Sequence, residues 1–120
     1  MRKKILVVED SETLRLVYED ELTEEGYDVF TTRSVDGALS RLKSDEPDLI
    51  ILDIAMSGIS GISLISNIRV GYRRRPRIIV HSAFPEYRRH FKAWGADACL
   101  RKSLDLTELK EKVRELLGTE

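Results

Sequence analysis

The stretch ILVVED, residues 5–10, is the most informative part of this chain, because four apolar residues, Ile5–Val8, run directly into Glu9 and Asp10. An apolar run of this length, rich in branched side chains, is typical of a strand that is buried on both faces of a parallel sheet. Other runs share this character and one segment alternates, which predicts five strands: Ile5–Val8, Asp28–Thr32, Leu49–Leu52, Ile78–Val80 and Ala98–Leu100.

Helical periodicity fills the segments between these strands. The first apolar stripe begins after Ser11, ends at Gly26 and consists of Leu14, Val17, Tyr18 and Leu22. Its spacing of i, i+3, i+4 and i+8 is that of one face of a helix. Similar stripes predict four more helices: one with Ser34 as its N-cap, one around Ile62–Ile68, one over Pro85–Trp94 with Gly95 as its stop, and one over Leu106–Leu117.

The start of the last helix carries two further signals. Asp105 and Glu108 have the spacing of a capping box, in which the two side chains satisfy backbone N–H groups of the first turn. Leu104 and Leu109 are expected to pack against each other across this start, as a hydrophobic staple. These signals make the fifth helix the best defined of the set.

Strand and helix therefore alternate five times along the chain. This alternation predicts an α/β fold, a single (βα)5 domain over residues 1–120 with a doubly wound, five-stranded parallel sheet and helices on both faces. The expected strand order is 2-1-3-4-5, as in flavodoxin-like folds.

The bulk composition excludes several classes of function. The chain has 20 basic and 21 acidic residues and a net charge of −1, which predicts neither direct nucleic-acid binding nor attachment to a membrane surface. Its apolar runs are too short for a membrane span or a secretory signal. The single cysteine, Cys99, suits a reducing compartment, so we expect a cytoplasmic protein whose functional charges are local.

Polar side chains follow four of the predicted strands: Glu9 and Asp10 the first, Asp53 the third, Ser82 the fourth and Lys102 the fifth. In a parallel sheet these positions share the carboxyl edge, where open α/β folds bind their ligands. Three carboxylates placed together favour a hard divalent cation such as Mg²⁺. With a lysine and a hydroxyl beside them, they predict a phosphoryl-transfer site in which Asp53 is the nucleophile.

As an ordered set, these residues resemble the receiver domain of response regulators. The set consists of Val7-Val8-Glu9-Asp10-Ser11, Asp53 at a strand end, Met56 with Gly61, His81-Ser82-Ala83, and Gly95-Ala96-Asp97 leading to Lys102. The resemblance covers essentially the whole chain. It implies a phosphorylation-dependent switch of a two-component system, which catalyses only its own phosphorylation and dephosphorylation and is not otherwise an enzyme.

The resemblance also implies a role for each site residue. Asp53 matches the phosphoacceptor, Ser82 the hydroxyl that bonds to the phosphoryl group, and Lys102 the lysine that pairs with it. Mg²⁺ would be held by oxygen ligands from four residues: Glu9, Asp10, Asp53 and the backbone carbonyl of Ala55. The donor would be a histidine kinase or a histidine phosphotransfer protein, and the signal would pass to a downstream protein or an output domain.

Several positions depart from the family pattern. Cys99 stands where an aromatic side chain usually reports phosphorylation, so a small buried side chain is expected there instead. Ser103 stands where a proline, usually after a cis peptide bond, follows the lysine; a non-proline cis bond costs about 3 kcal/mol, which predicts a trans bond. Phe84, two residues beyond Ser82, is expected to screen an acyl phosphate from water and so to slow dephosphorylation.

Two alternative functions fit the residues less well. A phosphohydrolase with an aspartyl nucleophile needs a second acid two residues after the nucleophile, where this chain has Ala55. A degenerate receiver, acting only as a protein-interaction module, is favoured by Cys99 and Ser103 but not by the intact set of acids, hydroxyl and lysine. The basic segment Tyr72–Arg77 is interpreted as a solvated loop rather than a nucleic-acid site.

Overall fold

The fold is described from a computed structural model, which covers residues 2–71, 75–83 and 90–118, with the backbone alone for residues 54–60, 70, 71 and 93. In this part of the chain, strands and helices alternate as predicted. The strands are β1 (Lys4–Val8), β2 (Asp28–Thr32), β3 (Leu49–Leu52), β4 (Arg77–Ser82) and β5 (Ala98–Arg101). The helices are α1 (Glu12–Glu24), α2 (Val35–Asp45), α3 (Ile54–Gly71), α4 (Phe91–Trp94) and α5 (Thr107–Leu117).

The five strands form one parallel sheet in the order β2-β1-β3-β4-β5, which confirms the predicted topology. Strand β1 pairs with both β2 and β3, so that Ile5 lies opposite Val29 on one side and Leu49 on the other. The order of the strands reverses between β1 and β3, which is the type of position where open α/β sheets bind ligands. Because all strands run in the same direction, the residues that follow them meet at one edge.

Alternating side chains of the strands fill two apolar cores, one on each face of the sheet. The first core joins Leu6, Val8, Ile50, Leu52, Ile78 and Val80 to helices α2, α3 and α4. The second joins Ile5, Val7, Ile51, Ile79 and Leu100 to helices α1 and α5. Every residue of β3 is buried, which explains why this strand is an uninterrupted apolar run in the sequence.

Three predicted helix boundaries are confirmed by their caps. The Ser11 hydroxyl accepts a hydrogen bond from the N–H of Leu14 at 3.2 Å, and the Ser34 hydroxyl accepts from Gly37 at 3.0 Å. Each satisfies an N–H that the first turn of a helix leaves unpaired. Gly95 ends α4 with a φ of 101°, a conformation that favours glycine.

The start of α5 differs from the prediction. The Asp105 carboxylate accepts hydrogen bonds from the N–H and the hydroxyl of Thr107, at 2.9 and 2.6 Å, and so closes a turn before the helix, whose N-cap position falls on Leu106. The expected contact of Leu104 with Leu109 is wrong, because Leu104 is 92% exposed while Leu109 is buried. Leu106 packs in the same core as Leu109 instead.

Helix α3, the longest of the helices described here, has 18 residues and begins directly after Asp53. The apolar stripe in the sequence predicted only the second half of this helix, around Ile62–Ile68. Leu64, Ile65 and Ile68 are buried there. None of the helices in the described ranges, α3 included, is both long and apolar enough to cross a membrane.

Candidate functional site

Four strand ends bring polar side chains to the carboxyl edge of the sheet. Backbone hydrogen bonds hold these ends in register: the Asp53 N–H donates to the carbonyl oxygen of Val8 at 3.4 Å, and the Lys102 N–H donates to that of Ser82 at 2.7 Å. Four residues therefore lie at the same edge: Ser82 is the last residue of β4, and Glu9, Asp53 and Lys102 directly follow β1, β3 and β5.

Lys102 lies between the two buried carboxylates of this edge. Its Nζ donates to Glu9 Oε1 at 2.5 Å and to Asp53 Oδ2 at 2.8 Å, and these residues are only 2% and 8% exposed. Burial by itself disfavours the ammonium, but the hydrogen bonds to Asp53 and Glu9 outweigh it and raise the pKa of Lys102. The site thus holds a charged ammonium between two carboxylates, joined by charge-assisted hydrogen bonds.

A second basic side chain, Arg15, holds the backbone of the acidic pair. Its Nη1 donates to the carbonyl oxygens of Glu9 and Asp10, at 2.8 and 2.9 Å. The Glu9 carboxylate also accepts from the N–H of Ser11 at 3.1 Å. The sequence analysis did not identify Arg15 as a site residue. It could have been found as a basic residue in the first turn of the helix that follows the acidic pair.

Asp10 and Ala55 are placed differently from the other predicted ligands. Asp10 is exposed, and within the described residues no three His, Cys, Asp or Glu side chains come together as a possible metal-binding group. Lys102 neutralises the two buried carboxylates, Glu9 and Asp53, and the role of the three acids as metal ligands stays a prediction. Ala55 lies in the first turn of α3, where helix geometry directs its carbonyl towards the N–H four residues on.

A buried tyrosine–histidine pair lies next to this edge. The Tyr18 hydroxyl oxygen is 2.6 Å from His81 Nδ1, and both residues are 3% exposed. Burial, followed by the positive charge of Lys102, lowers the pKa of His81 to about 4, against the opposing effect of Asp53. Burial, reinforced by the nearby carboxylates, raises the pKa of Tyr18. Both groups are neutral at neutral pH, and one hydrogen bond joins the tyrosine hydroxyl to Nδ1, with its donor set by the imidazole tautomer.

Of the two family departures near β5, Ser103 agrees with its sequence-based expectation and Cys99 agrees in part. No cis peptide bond occurs in the described part of the chain, which confirms the trans bond before Ser103. The Ser103 hydroxyl accepts from the N–H of Asp105 at 3.2 Å and so helps to close the loop before α5. Cys99 is partly buried and packs against the core on the α2, α3 and α4 side of the sheet.

An apolar surface lies beside Lys102. Val17, which was expected to face the core, is 37% exposed, and Leu104 is 92% exposed. Both line a cavity of about 290 Å³, together with Leu14, Tyr18, Ala83, Lys102, Ser103 and Leu106. We call this cavity and its rim the Val17–Leu104 surface.

Some predicted features lie outside the described residues. These are Phe84, the first part of the predicted helix Pro85–Trp94, and the arginines Arg73 and Arg74 of the basic segment. The expectation that Phe84 shields an acyl phosphate stays a prediction.

The fold and the site define a class of protein: a (βα)5 domain that presents an acidic site with one lysine at the carboxyl edge of its sheet. Comparison with known proteins identifies the family. The model of the family described as "Response regulator receiver domain" matches residues 5–114 of this chain. The chain therefore belongs to the response regulator receiver domains, which act in two-component signalling as switches rather than as classical enzymes.

Two curated relatives illustrate the length of the match. The chain is 30% identical over 118 residues to the alkaline phosphatase synthesis transcriptional regulatory protein PhoP of Bacillus subtilis, which covers 98% of this chain and 49% of PhoP. It is 29% identical to the sporulation initiation phosphotransferase F of the same organism, over 98% of this chain and 95% of that protein. The chain thus spans about half the length of PhoP and nearly all of the phosphotransferase.

Two solved structures of one relative show the same fold. The response regulator protein TrrA from Thermotoga maritima, in complex with Mg(2+)-BeF, has a TM-score of 0.85 and 41% identity, over 95% of this chain and 98% of that one. TrrA in complex with the histidine kinase ThkA has a TM-score of 0.84 and 41% identity, over 97% of this chain and 99% of that one.

Proposed function

We propose that this chain is a phosphorylation-dependent switch, which accepts a phosphoryl group on Asp53 from a phosphohistidine donor with Mg²⁺ as cofactor. One observation carries the proposal: the Asp53 carboxylate follows β3 at the carboxyl edge, is 8% exposed, and accepts a hydrogen bond from Lys102 at 2.8 Å. The ammonium orients the carboxylate, and such orientation is a large part of what a transfer site supplies.

The transfer uses the residues of this edge in distinct roles. A carboxylate oxygen of Asp53 attacks the phosphorus of the phosphohistidine, the P–N bond breaks, and the bonding electron pair returns to the imidazole nitrogen. The product is an acyl phosphate on Asp53. Lys102 neutralises charge on the phosphoryl oxygens, and the Ser82 hydroxyl donates a hydrogen bond to one of them. Hydrolysis by water then restores the carboxylate and releases inorganic phosphate.

The donor set at this edge fits a hard divalent cation. Mg²⁺ prefers oxygen ligands and keeps several waters, so it does not require a closed cage of protein groups. We infer that four residues would hold it: Glu9, Asp10, Asp53 and, through its backbone carbonyl, Ala55. Bound there, the ion supplies positive charge that stabilises the charge developing on the phosphoryl oxygens.

The donor is inferred to be a histidine kinase or a histidine phosphotransfer protein. The relative TrrA has been solved in complex with the histidine kinase ThkA, which supports a partner of this kind. The Val17–Leu104 surface includes Lys102 in its lining and so lies next to the phosphoacceptor edge. Its exposed apolar side chains suit contact with an apolar helix face of the donor protein.

The output of the switch is proposed to pass through protein contacts. The recipient is a downstream protein or an output domain of a longer chain, with no direct contact of residues 1–120 to nucleic acid. The length of PhoP, about twice that of this chain, supports the second of these arrangements.

Incubation with Mg²⁺ and acetyl phosphate tests the proposal directly. Wild type is expected to gain one phosphoryl group, detected by intact-protein mass spectrometry, whereas Asp53→Asn is expected to gain none because an amide is a poor nucleophile. Equal labelling of the two proteins would refute Asp53 as the acceptor. A wild-type chain that takes no label under these conditions would favour the interaction-module alternative, and steady hydrolysis of added phosphomonoesters would favour the phosphohydrolase.

A further inference from the structure

The Tyr18–His81 pair is a polar contact at the border of the core between the sheet and helices α1 and α5. Tyr18 belongs to that mostly aliphatic core, and both side chains are 3% exposed. His81 also lines a cavity whose other residues include Asp105, Thr107 and Glu108. Burial of a polar group costs free energy unless it is hydrogen-bonded, and two apolar residues would pack here without that condition. The position of the pair, beside the phosphoacceptor edge of the sheet, suggests a functional role for it.

His81 lies between the two strands that carry the nucleophile and the lysine. Strand β4 is flanked by β3 and β5, and Val80 lies opposite Leu52, so that the next residues along, His81 and Asp53, are neighbours. On the other side His81 lies opposite Leu100, and the chain reaches Lys102 two residues later. His81 therefore lies at the same height along the strand direction as the phosphoacceptor Asp53, and it directly precedes Ser82 in the chain.

One hydrogen bond holds the His81 ring, and one backbone bond follows it along the sheet. The Tyr18 hydroxyl oxygen and His81 Nδ1 are 2.6 Å apart, which ties α1 to the carboxyl end of β4. The next residue, Ser82, accepts at its carbonyl from the Lys102 N–H at 2.7 Å. The end of β4 that His81 holds is therefore the one to which Lys102 is attached.

We propose that His81, held by Tyr18, is a positioning residue for phosphoryl transfer: it fixes the carboxyl end of β4 against α1 and so places Ser82 and, through the Ser82 carbonyl, Lys102. This inference rests on the proposed function. Neither Tyr18 nor His81 touches the reacting atoms; they act through the two side chains that would contact the phosphoryl oxygens.

The proposal predicts a separation of two measurable quantities. Ser82, at the end of β4, and Lys102, after β5, act on the phosphoryl group, whereas Glu9 and Asp10, after β1, would hold the cation. Loss of the Tyr18–His81 hydrogen bond is therefore expected to lower the phosphorylation rate at saturating Mg²⁺ and to leave the Mg²⁺ affinity unchanged. Small displacements of a positioned group lower transfer rates strongly, so we expect a decrease on the order of tenfold.

The decisive variant is Tyr18→Phe/His81→Leu, which replaces the polar pair by an apolar one and leaves no buried group unsatisfied. Its thermal midpoint is expected to stay close to that of wild type, while the single variant Tyr18→Phe, with Nδ1 unpaired, is expected to melt earlier. Tyr27→Phe is a matched control, because Tyr27 packs against the same core but precedes β2 at the opposite end of the sheet. Phosphorylation by acetyl phosphate and calorimetric titration with Mg²⁺ are measured on all four proteins.

The outcomes distinguish this inference from the proposed function. A double variant that is folded, binds Mg²⁺ as wild type does and is phosphorylated about tenfold more slowly supports the positioning role. A double variant that is phosphorylated at the wild-type rate overturns it while leaving the proposed function intact. A double variant that fails to fold, or loses Mg²⁺ affinity together with rate, assigns the pair a structural role and also overturns it. If wild type itself takes no label, the proposed function fails and this inference with it.

Discussion

Acidification is expected to destabilise this fold through His81, and the size of the effect follows from its burial. In the unfolded chain the imidazole binds a proton with its ordinary pKa of 6.5, whereas in the folded chain burial and Lys102 lower the pKa to about 4. As the pH falls below 6.5, the unfolded state gains a proton that the folded state does not. The stability that is fully present above pH 6.5 is therefore lost progressively down to about pH 4.

The expected loss is large compared with the total stability of a small domain. At about 1.4 kcal/mol for each tenfold change in proton affinity, a pKa of about 4 in place of 6.5 corresponds to about 3 kcal/mol. Roughly 2 kcal/mol of this is lost between about pH 7.5 and about pH 5. Domains of this size are stable by about 5–15 kcal/mol, so the loss is readily measurable.

Urea unfolding followed by circular dichroism, at both pH values and with EDTA present, measures this loss. Tyr18→Phe/His81→Leu is the reference protein, because it keeps every other titrating group of the chain and loses only the buried imidazole and its partner. The free energy of unfolding of wild type should fall by about 2 kcal/mol more than that of the reference. Equal losses in the two proteins, or an NMR titration that gives His81 a pKa near 6.5, would refute the reasoning.

Three further perturbations test other parts of the structure. Lys102→Met is expected to slow phosphorylation by acetyl phosphate about 100-fold, because it removes the cation beside Asp53; a rate near that of wild type in the mass-spectrometric assay would contradict this role. Leu104→Ser is expected to slow transfer from a phosphorylated donor protein about tenfold while leaving the rate with acetyl phosphate unchanged. Leu16→Ser is its control, since Leu16 is also exposed on α1 but does not line the Val17–Leu104 surface, and equal slowing by both would argue against that surface. Ser11→Ala is expected to lower the free energy of unfolding by about 1 kcal/mol in urea through loss of the α1 N-cap, whereas Ser11→Thr should retain most of it.

The parts of the fold that could be predicted are those that local patterns determine. The strand Leu49–Leu52 is apolar throughout because both of its faces are covered, and Asp53 follows it as the first polar residue. Since the strands are parallel, the residues that follow them meet at one edge whatever the details of the helices. The meeting of Glu9, Asp53 and Lys102 could therefore be predicted from the sequence before any distance was known.

The parts that could not be predicted depend on contacts between distant residues. In the sequence, Tyr18 is one member of an apolar helix stripe and His81 is the residue before Ser82. Their contact is hidden because they lie 63 positions apart. The arrangement of the acids around Lys102 could not be predicted either, because the sequence does not show that Lys102 bonds to both Glu9 and Asp53 while Asp10 is exposed. The staple of Leu104 was wrong because Leu106, two residues later, packs against the core instead.

The loop between Lys102 and α5 combines two kinds of attachment. Lys102 is bound to the sheet through its N–H and the Ser82 carbonyl at 2.7 Å, whereas Ser103, Leu104 and Asp105 are exposed and are held by hydrogen bonds between residues only two apart. Segments held by such local, solvated bonds open at low free-energy cost, without disturbing the sheet behind them. The loop of residues 103–105 can consequently change shape against a docking protein while the Lys102 ammonium stays fixed. Residues that adapt to a partner thus directly follow a residue that must stay rigid for the chemistry.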